Sequence, residues 1–261
     1  MLFWFSIFAI GFLISAVKHG EKASKPYFDG AEISNFVNFN LSIKLIFAFQ
    51  NGTSLVGGTI VTDSITSSGL KEFIENELHA KHYRYRRGYK NVIDKAVELC
   101  NAGEIAPLAI ETSGHAAFRS NYFLDDGAYL VTRIVIKLAE LRKEGKTISD
   151  LISALREPVE RKEIGSNITE SDFRPVGERV IAELEAFATA HEGWHIADDN
   201  REGIRVSCDE ANGWFLLRLS VHDPVMPMNF ESDDVGGVQK MINSLTEFFK
   251  NQSGLDITTF K

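Results

Sequence analysis

The 261 residues include only two cysteines, Cys100 and Cys208, and six prolines. Two thiols cannot build a disulfide framework, and these two have no metal-ligand spacing, so a reducing compartment is the default. Positive charge is scarce as well: 28 Lys and Arg stand against 36 Asp and Glu, a net charge of −8. Binding to phosphate backbones needs a basic face, so nucleic acid is excluded as a partner. The one basic cluster, "HYRYRRGYK" at 82–90, is short. Internal repeats and low-complexity tracts are also missing. What is present is a 44% hydrophobic composition, enough to fill the core of one large domain or two ordinary ones.

Long apolar runs are confined to the start. "MLFWFSIFAIGFLISAV" carries seventeen uncharged, mostly apolar residues up to Lys18. That is short for a bilayer-spanning helix and long enough for the apolar part of a signal peptide. No Lys or Arg precedes it and no small-x-small cleavage site follows. A membrane anchor, a secretory leader and a stretch foreign to the fold remain as alternative readings. Residues 18–57 have poor periodicity, with 41–49 fitting a buried strand or helix.

Regular signals begin at Thr59. "TIVTD" reads as a strand, and "SITSSGLKEFIENEL" as a helix with Leu70, Phe73, Ile74 and Leu78 on one face. "HYRYR" is a second strand and "NVIDKAVELC" a second helix. "LAIET" is a third strand, and "DDGAYLVTRIVIKLAELRKEG" is a long helix started by Asp and stopped at Gly145. "TISDLISALREP" follows, with Thr147 as its cap and Pro158 as its end. Strands alternating with helices predict a parallel α/β/α sandwich over 58–165, preceded by an atypical segment, 1–57. The pattern then changes. A helix, "DFRPVGERVIAELEAFATAH", is followed by four strand-like runs, "WHIAD", "GIRVSCD", "GWFLLRLS" and "VMPMNFES", and a closing helix, "VQKMINSLTEFFK". This predicts an antiparallel-sheet domain with helices on one face, over 166–261.

Ligands of open α/β sheets bind beyond the carboxyl ends of the strands. Two loops open there: "RGYK", with Arg87 and Lys90, and "ETSGH", with Glu111, Ser113 and His115. Together they could bind vicinal hydroxyls and a negative group, although "TSGH" alone also fits an ordinary polar turn. In the later domain "GWFLLRLSVHDPVMP" delivers Arg218, Ser220, His222 and Asp223 ahead of Pro224. Such a loop suits a phosphate monoester, or is a polar turn that satisfies its own backbone. A Ser-His-Asp nucleophile triad is a third reading, but nothing resembles a nucleophile elbow.

Taken in order, "TIVTDSITSSGL", "RRGYKNVIDKAVEL", "ETSGHAAFRSNYFLDDGAYL" and "GIRVSCDEANGWFLLRLSVHDP" resemble the α-D-phosphohexomutases, the phosphoglucomutase and phosphomannomutase superfamily. The resemblance runs from about Thr59 to about Lys250 and is strongest to the plant phosphoglucomutase-like members. It implies isomerase activity on hexose phosphates in carbohydrate metabolism, with a chloroplast or cytoplasmic location. "ETSGH" resembles the family's GExSGH sugar loop, which implies that Glu111, Ser113 and His115 hold sugar hydroxyls. Gly88, Tyr89 and Lys90 match its Gly-x-Lys loop, which makes Lys90 a contact to the sugar phosphate. "DDG" matches a family segment in which Asp125 and Asp126 are expected to cap the long helix. "RLSVHDP" resembles the phosphate loop RPSGTEP: Arg218, Ser220 and Pro224 match, Val221, His222 and Asp223 depart from it, and His222 could stand in for the Thr as a donor.

The family also needs a phosphoserine, a DGDxDR loop holding Mg²⁺, and a hexose 1,6-bisphosphate as activator. Before Asp63 this chain has one Asp, Asp29, and two Glu, Glu21 and Glu32, and no segment resembling either motif. The resemblance therefore implies a chain truncated to the third and fourth domains and inactive alone. A non-catalytic sugar-phosphate-binding module and a membrane-anchored fragment are the alternatives.

Overall fold

A computed structural model of the chain describes residues 57–258. The apolar run at 1–17 and the element expected at 41–49 lie outside the described residues. The backbone divides into two compact units, one ending at Glu157 and one beginning at Pro158.

In the first unit β1 (Thr59–Thr62) leads to α1 (Ser68–Glu72), which continues as a π-helical turn, Phe73–Glu77. Then come β2 (Lys81–Arg84), α2 (Tyr89–Asn101), β3 (Leu108–Ile110), β4 (Ala116–Phe118), α3 (Gly127–Lys143) and α4 (Ile148–Leu151). The sheet order is β2-β1-β3-β4, with β1 parallel to β2 and β3 and with β4 antiparallel to β3. Side chains alternate across the strands. Ile60, Leu108 and Ile110 meet Leu70, Ile74, Leu130 and Ile134 of α1, its continuation and α3. Val61 and Ala109 meet Val92, Ala96 and Leu99 of α2 on the other face. A sheet covered on both faces explains why its strands are short, unbroken apolar runs. This is the expected α/β/α sandwich.

One element departs from expectation. Residues 116–118, assigned to no element between the third strand and the long helix, form β4. The Glu111 N–H donates to the His115 carbonyl at 2.9 Å, closing a hairpin turn that places Gly114 at φ 104°. A β-branched residue would be strained at that angle. "AAF" carries none of the β-branched enrichment that marks a strand, and pairing with β3 supplies what propensity does not.

The second unit comprises β5 (Glu160–Asn167), α5 (Phe173–Ala190), β6 (Trp194–Ile196), β7 (Ile204–Cys208), β8 (Gly213–Leu217), β9 (Val225–Ser232) and α6 (Gly237–Lys250). Its sheet, β5-β9-β8-β7-β6, is antiparallel throughout. Val180, Leu184 and Ala188 of α5 and Met241, Leu245 and Phe249 of α6 share one core with Val206, Phe215, Met228 and Phe230. The helices thus cover one face, as expected. On the alternate positions Arg205 stacks 3.4 Å over the Trp214 ring centroid, and Trp214 Nε1 donates to Glu231 Oε2 at 2.9 Å. Arg161 of β5 pairs with the same carboxylate.

β5 is the strand that periodicity does not announce, because half of "ERKEIGSN" is charged. It lies at the sheet edge, where charge is tolerated and discourages further pairing. It pairs with β9 along its whole length, so it belongs entirely to the second unit, and a boundary at 165/166 would cut through it.

Candidate functional site

The loop after β3 is built around a buried carboxylate. Glu111 is 5% exposed; its Oε1 accepts from the Gly88 N–H at 2.8 Å and its Oε2 from Ser113 Oγ at 2.5 Å. The first of these bonds joins the two loops expected to act together, "RGYK" and "ETSGH". Gly88 sits at φ 115°, outside the range of ordinary L residues, and this orients its N–H as the entry to α2. Arg87 Nε lies 4.0 Å from Glu111 Oε1.

His115 is held on two sides. Its Nδ1 is 2.6 Å from Asp125 Oδ2, and its ring stacks on that of Tyr89, with centroids 4.9 Å apart and planes 24° from parallel. When Asp125 accepts from Nδ1–H, the ring's lone pair is on Nε2. Asp125 and Asp126, both expected to cap α3, have separate tasks. Asp126 Oδ1 accepts from the N–H groups of Ala128 and Tyr129, both at 3.0 Å, and is the cap. Asp125 orients His115 instead. Tyr89, at 49% exposure, is a neighbour of the 111–115 loop that stood in the sequence only as the variable position of Gly-x-Lys.

Lys90 is engaged within its own helix. Its Nζ pairs with Asp94, one turn along α2, and that hydrogen bond raises its pKa. Both side chains are largely exposed, so the pair contributes little to stability.

A deeper layer also went unread. Asp63, at the carboxyl end of β1, is fully buried, and its Oδ2 accepts from Thr112 Oγ1 at 2.6 Å. Burial raises its pKa to about 6; the Thr112 bond and Arg87 lower it, and the Glu111 charge raises it. The available signal was its place at a strand end in "TIVTD".

In the second unit Arg218 follows β8 directly and is 8% exposed. Its N–H donates to the Pro227 carbonyl at 3.1 Å. Ser220 donates its N–H to the Val225 carbonyl at 3.0 Å, and its Oγ accepts from the Asp223 N–H at 3.3 Å. His222 is exposed. Leu219 anchors the loop against α5, where a Cβ on Gly177 would lie 2.5 Å from Leu219 Cδ1. Arg174 reaches from the start of the same helix to the Val221 carbonyl at 3.0 Å. The loop is thus a polar turn with a buried Arg at its base and a hydroxyl and an imidazole at its rim.

Among the described residues no group of three or more His, Cys, Asp or Glu side chains is placed to hold a metal ion, so none is assigned to Mg²⁺. No helix among them is long and apolar enough to cross a membrane.

Comparison with known proteins adds a second line. Residues 42–159 match the family described as phosphoglucomutase/phosphomannomutase, alpha/beta/alpha domain III. A phosphomannomutase/phosphoglucomutase of Pseudomonas aeruginosa is 31% identical over 149 residues, covering 56% of this chain and 28% of that protein. A phosphoglucomutase of Neisseria gonorrhoeae is 27% identical over 139 residues, covering 53% and 28%. The solved structure of a phosphoglucomutase/phosphomannomutase family protein from Burkholderia thailandensis superposes with a TM-score of 0.61 at 22% identity. That likeness, one of fold, covers 83% of this chain and 42% of the other. The chain spans 28% of the length of the two curated relatives.

Proposed function

We propose that this chain, whose residues 42–159 match domain III of the phosphoglucomutase/phosphomannomutase family, binds a hexose phosphate without converting it. Glu111, Ser113 and His115 take sugar hydroxyls. Arg218, Ser220 and His222 take phosphate oxygens, and Lys90 is a secondary contact to the sugar phosphate.

The observation that carries this reading is the Glu111 carboxylate, buried yet held in place by Gly88 N–H and Ser113 Oγ at the carboxyl end of a parallel strand. A carboxylate has about four acceptor sites. Gly88 and Ser113 use two, and the remaining two match a vicinal diol, whose hydroxyls are both donors. The orientation of His115 by Asp125 and Tyr89 supplies a second fixed group, so a sugar meets a site whose ordering cost is already met. On the Arg218 loop, the guanidinium supplies the charge and the Ser220 and His222 side chains supply donors, the chemistry a phosphate monoester requires.

Phosphoryl transfer needs more than these groups. The transferring phosphoryl requires a nucleophile and compensating positive charge, and the sequence shows no motif for either beyond these loops.

Calorimetry with glucose 1-phosphate, beside a coupled assay for glucose 6-phosphate in the presence of glucose 1,6-bisphosphate, tests both parts. Binding with no product is expected; turnover would refute the non-catalytic reading and absence of binding would refute both. Arg218→Ala should weaken binding by about ten- to a hundredfold, the loss of a charge-assisted bond. Glu111→Gln should weaken glucose 1-phosphate binding and leave inorganic phosphate binding unchanged.

A further inference from the structure

Asp63 has no part in the reading above, yet it lies at the centre of a hydrogen-bonded chain that crosses the first unit. Thr112, which gives its hydroxyl proton to Asp63 Oδ2, stands between Glu111 and Ser113. The ligand loop is therefore tied to β1 as well as being the continuation of β3. From Oδ1 the chain runs the other way. Thr66 Oγ1 is 3.1 Å from Asp63 Oδ1 and 2.7 Å from Thr62 Oγ1, and Thr62 Oγ1 is 2.7 Å from His82 Nε2. Thr62 and Thr66 are fully buried, while His82 is half-buried on β2.

A threonine hydroxyl has one proton, so this chain has two consistent polarities. With Asp63 ionised, Thr66 donates to Asp63, Thr62 to Thr66 and His82 Nε2–H to Thr62. With Asp63 protonated on Oδ1, every bond reverses, and Thr62 donates to a bare Nε2. Passing from the first to the second moves one proton along each link, so that an imidazolium at His82 becomes neutral as the carboxylate becomes a carboxylic acid. No other reactant is consumed. The charged or titratable groups around Asp63 are Glu111 at the end of β3, Arg87 before α2, and Arg84 and His82 on β2. Arg84 donates to the Thr66 carbonyl at 3.3 Å, which fixes the middle of the chain.

We propose that Asp63 is the positioning residue of the 111–115 loop, acting through Thr112, and that the Thr66–Thr62–His82 chain is the route by which it exchanges its proton. Only the ligand-binding consequence rests on the hexose-phosphate reading. Asp63 touches no expected ligand position. It sets where Glu111 and Ser113 stand.

The test uses the full chain. In NMR exchange measurements proton transfer between the Asp63 carboxyl and the His82 ring is expected to slow at least about tenfold in Thr66→Val. An exchange rate identical in wild type and Thr66→Val would overturn the relay. For positioning, Thr112→Val and Asp63→Asn should each speed hydrogen exchange at the Glu111 and Gly114 amides by about tenfold, consistent with losing one bond to a charged group. Unchanged protection in both variants would overturn the positioning role. With ligand, both variants should weaken glucose 1-phosphate binding about tenfold and leave inorganic phosphate binding as it was. If wild type binds no glucose 1-phosphate, the hexose-phosphate reading fails, and the proton-transfer and hydrogen-exchange results still decide the proposal.

Discussion

Asp63 is a carboxyl group in a place without water, and its proton affinity has a consequence for the stability of the chain. An aspartate in the unfolded chain ionises near 3.8, while burial holds this one at about 6. Between those values the folded state keeps a proton that the unfolded state has lost. The group's stabilisation is therefore full below the lower value and is lost as pH rises through the upper one. Two pH units correspond to about 3 kcal/mol. Urea denaturation of wild type and Asp63→Asn, at about pH 4.5 and about pH 7.5, should show wild type gaining on the variant at the lower pH by up to about that amount. A difference that is the same at both pH values would mean that Asp63 titrates as an exposed aspartate does. The two cysteines differ for a similar reason. Cys208 is 1% exposed and its thiol is pushed up to about 12, by burial first and then by Glu210 and Asp209, whereas Cys100 is only half-buried. Since the thiolate is the reactive form, a disulfide reagent should modify Cys100 in the native protein and Cys208 only on denaturation. Rapid native modification of both would contradict the buried position of β7.

The adjacent residues Asp125 and Asp126 show how the elements divide labour. Both precede α3 and both are chemically able to cap it. Only Asp126 reaches the free N–H groups of the first turn, and the Tyr129 bond in particular lowers its pKa. A carboxylate with a lowered pKa stabilises above its unfolded value, and that contribution disappears as pH falls through the folded one. Asp126→Ala should cost about 1 kcal/mol near neutral pH, read as a shift in the denaturation midpoint. Asp125→Ala should leave stability nearly unchanged and, on the proposed function, weaken glucose 1-phosphate binding through His115. The reverse pattern would exchange the two roles. The β3–β4 hairpin is a second case. Its turn needs a positive φ at Gly114, and its return strand, Ala116–Phe118, has no β-branched residue, so the sequence announced the turn and concealed the strand.

Each unit has its own apolar core, and the packing clusters of the first share no residue with that of the second. Phe215 is fully buried against Trp194 and Phe230. Phe215→Ala should cost the second unit about 3–5 kcal/mol, through lost transfer energy and a cavity. Amide exchange in β1 and β3 of the first unit should be unaffected. Loss of protection in both units together would show that they unfold as one.

Much of this molecule was legible before any coordinates. Alternating strand and helix patterns, caps and stops specify the two domain classes, because burying one face of each element is a local periodic demand. The residues expected in the 111–115 loop could be named because "ETSGH" resembles the phosphohexomutase sugar loop; a strand end, a glycine and polar side chains alone fit an ordinary turn equally well. β5 stayed hidden because its charges suit an edge position, and a position at the edge is a relation to β9. Gly88 meeting Glu111 across 23 residues, Asp63 meeting Thr112 across 49, and Asp125 choosing His115 over the helix are likewise contacts between distant segments. Periodicity describes which way a side chain faces along its own element. Which carboxylate is buried, and what shares its proton, depends on what the fold brings alongside.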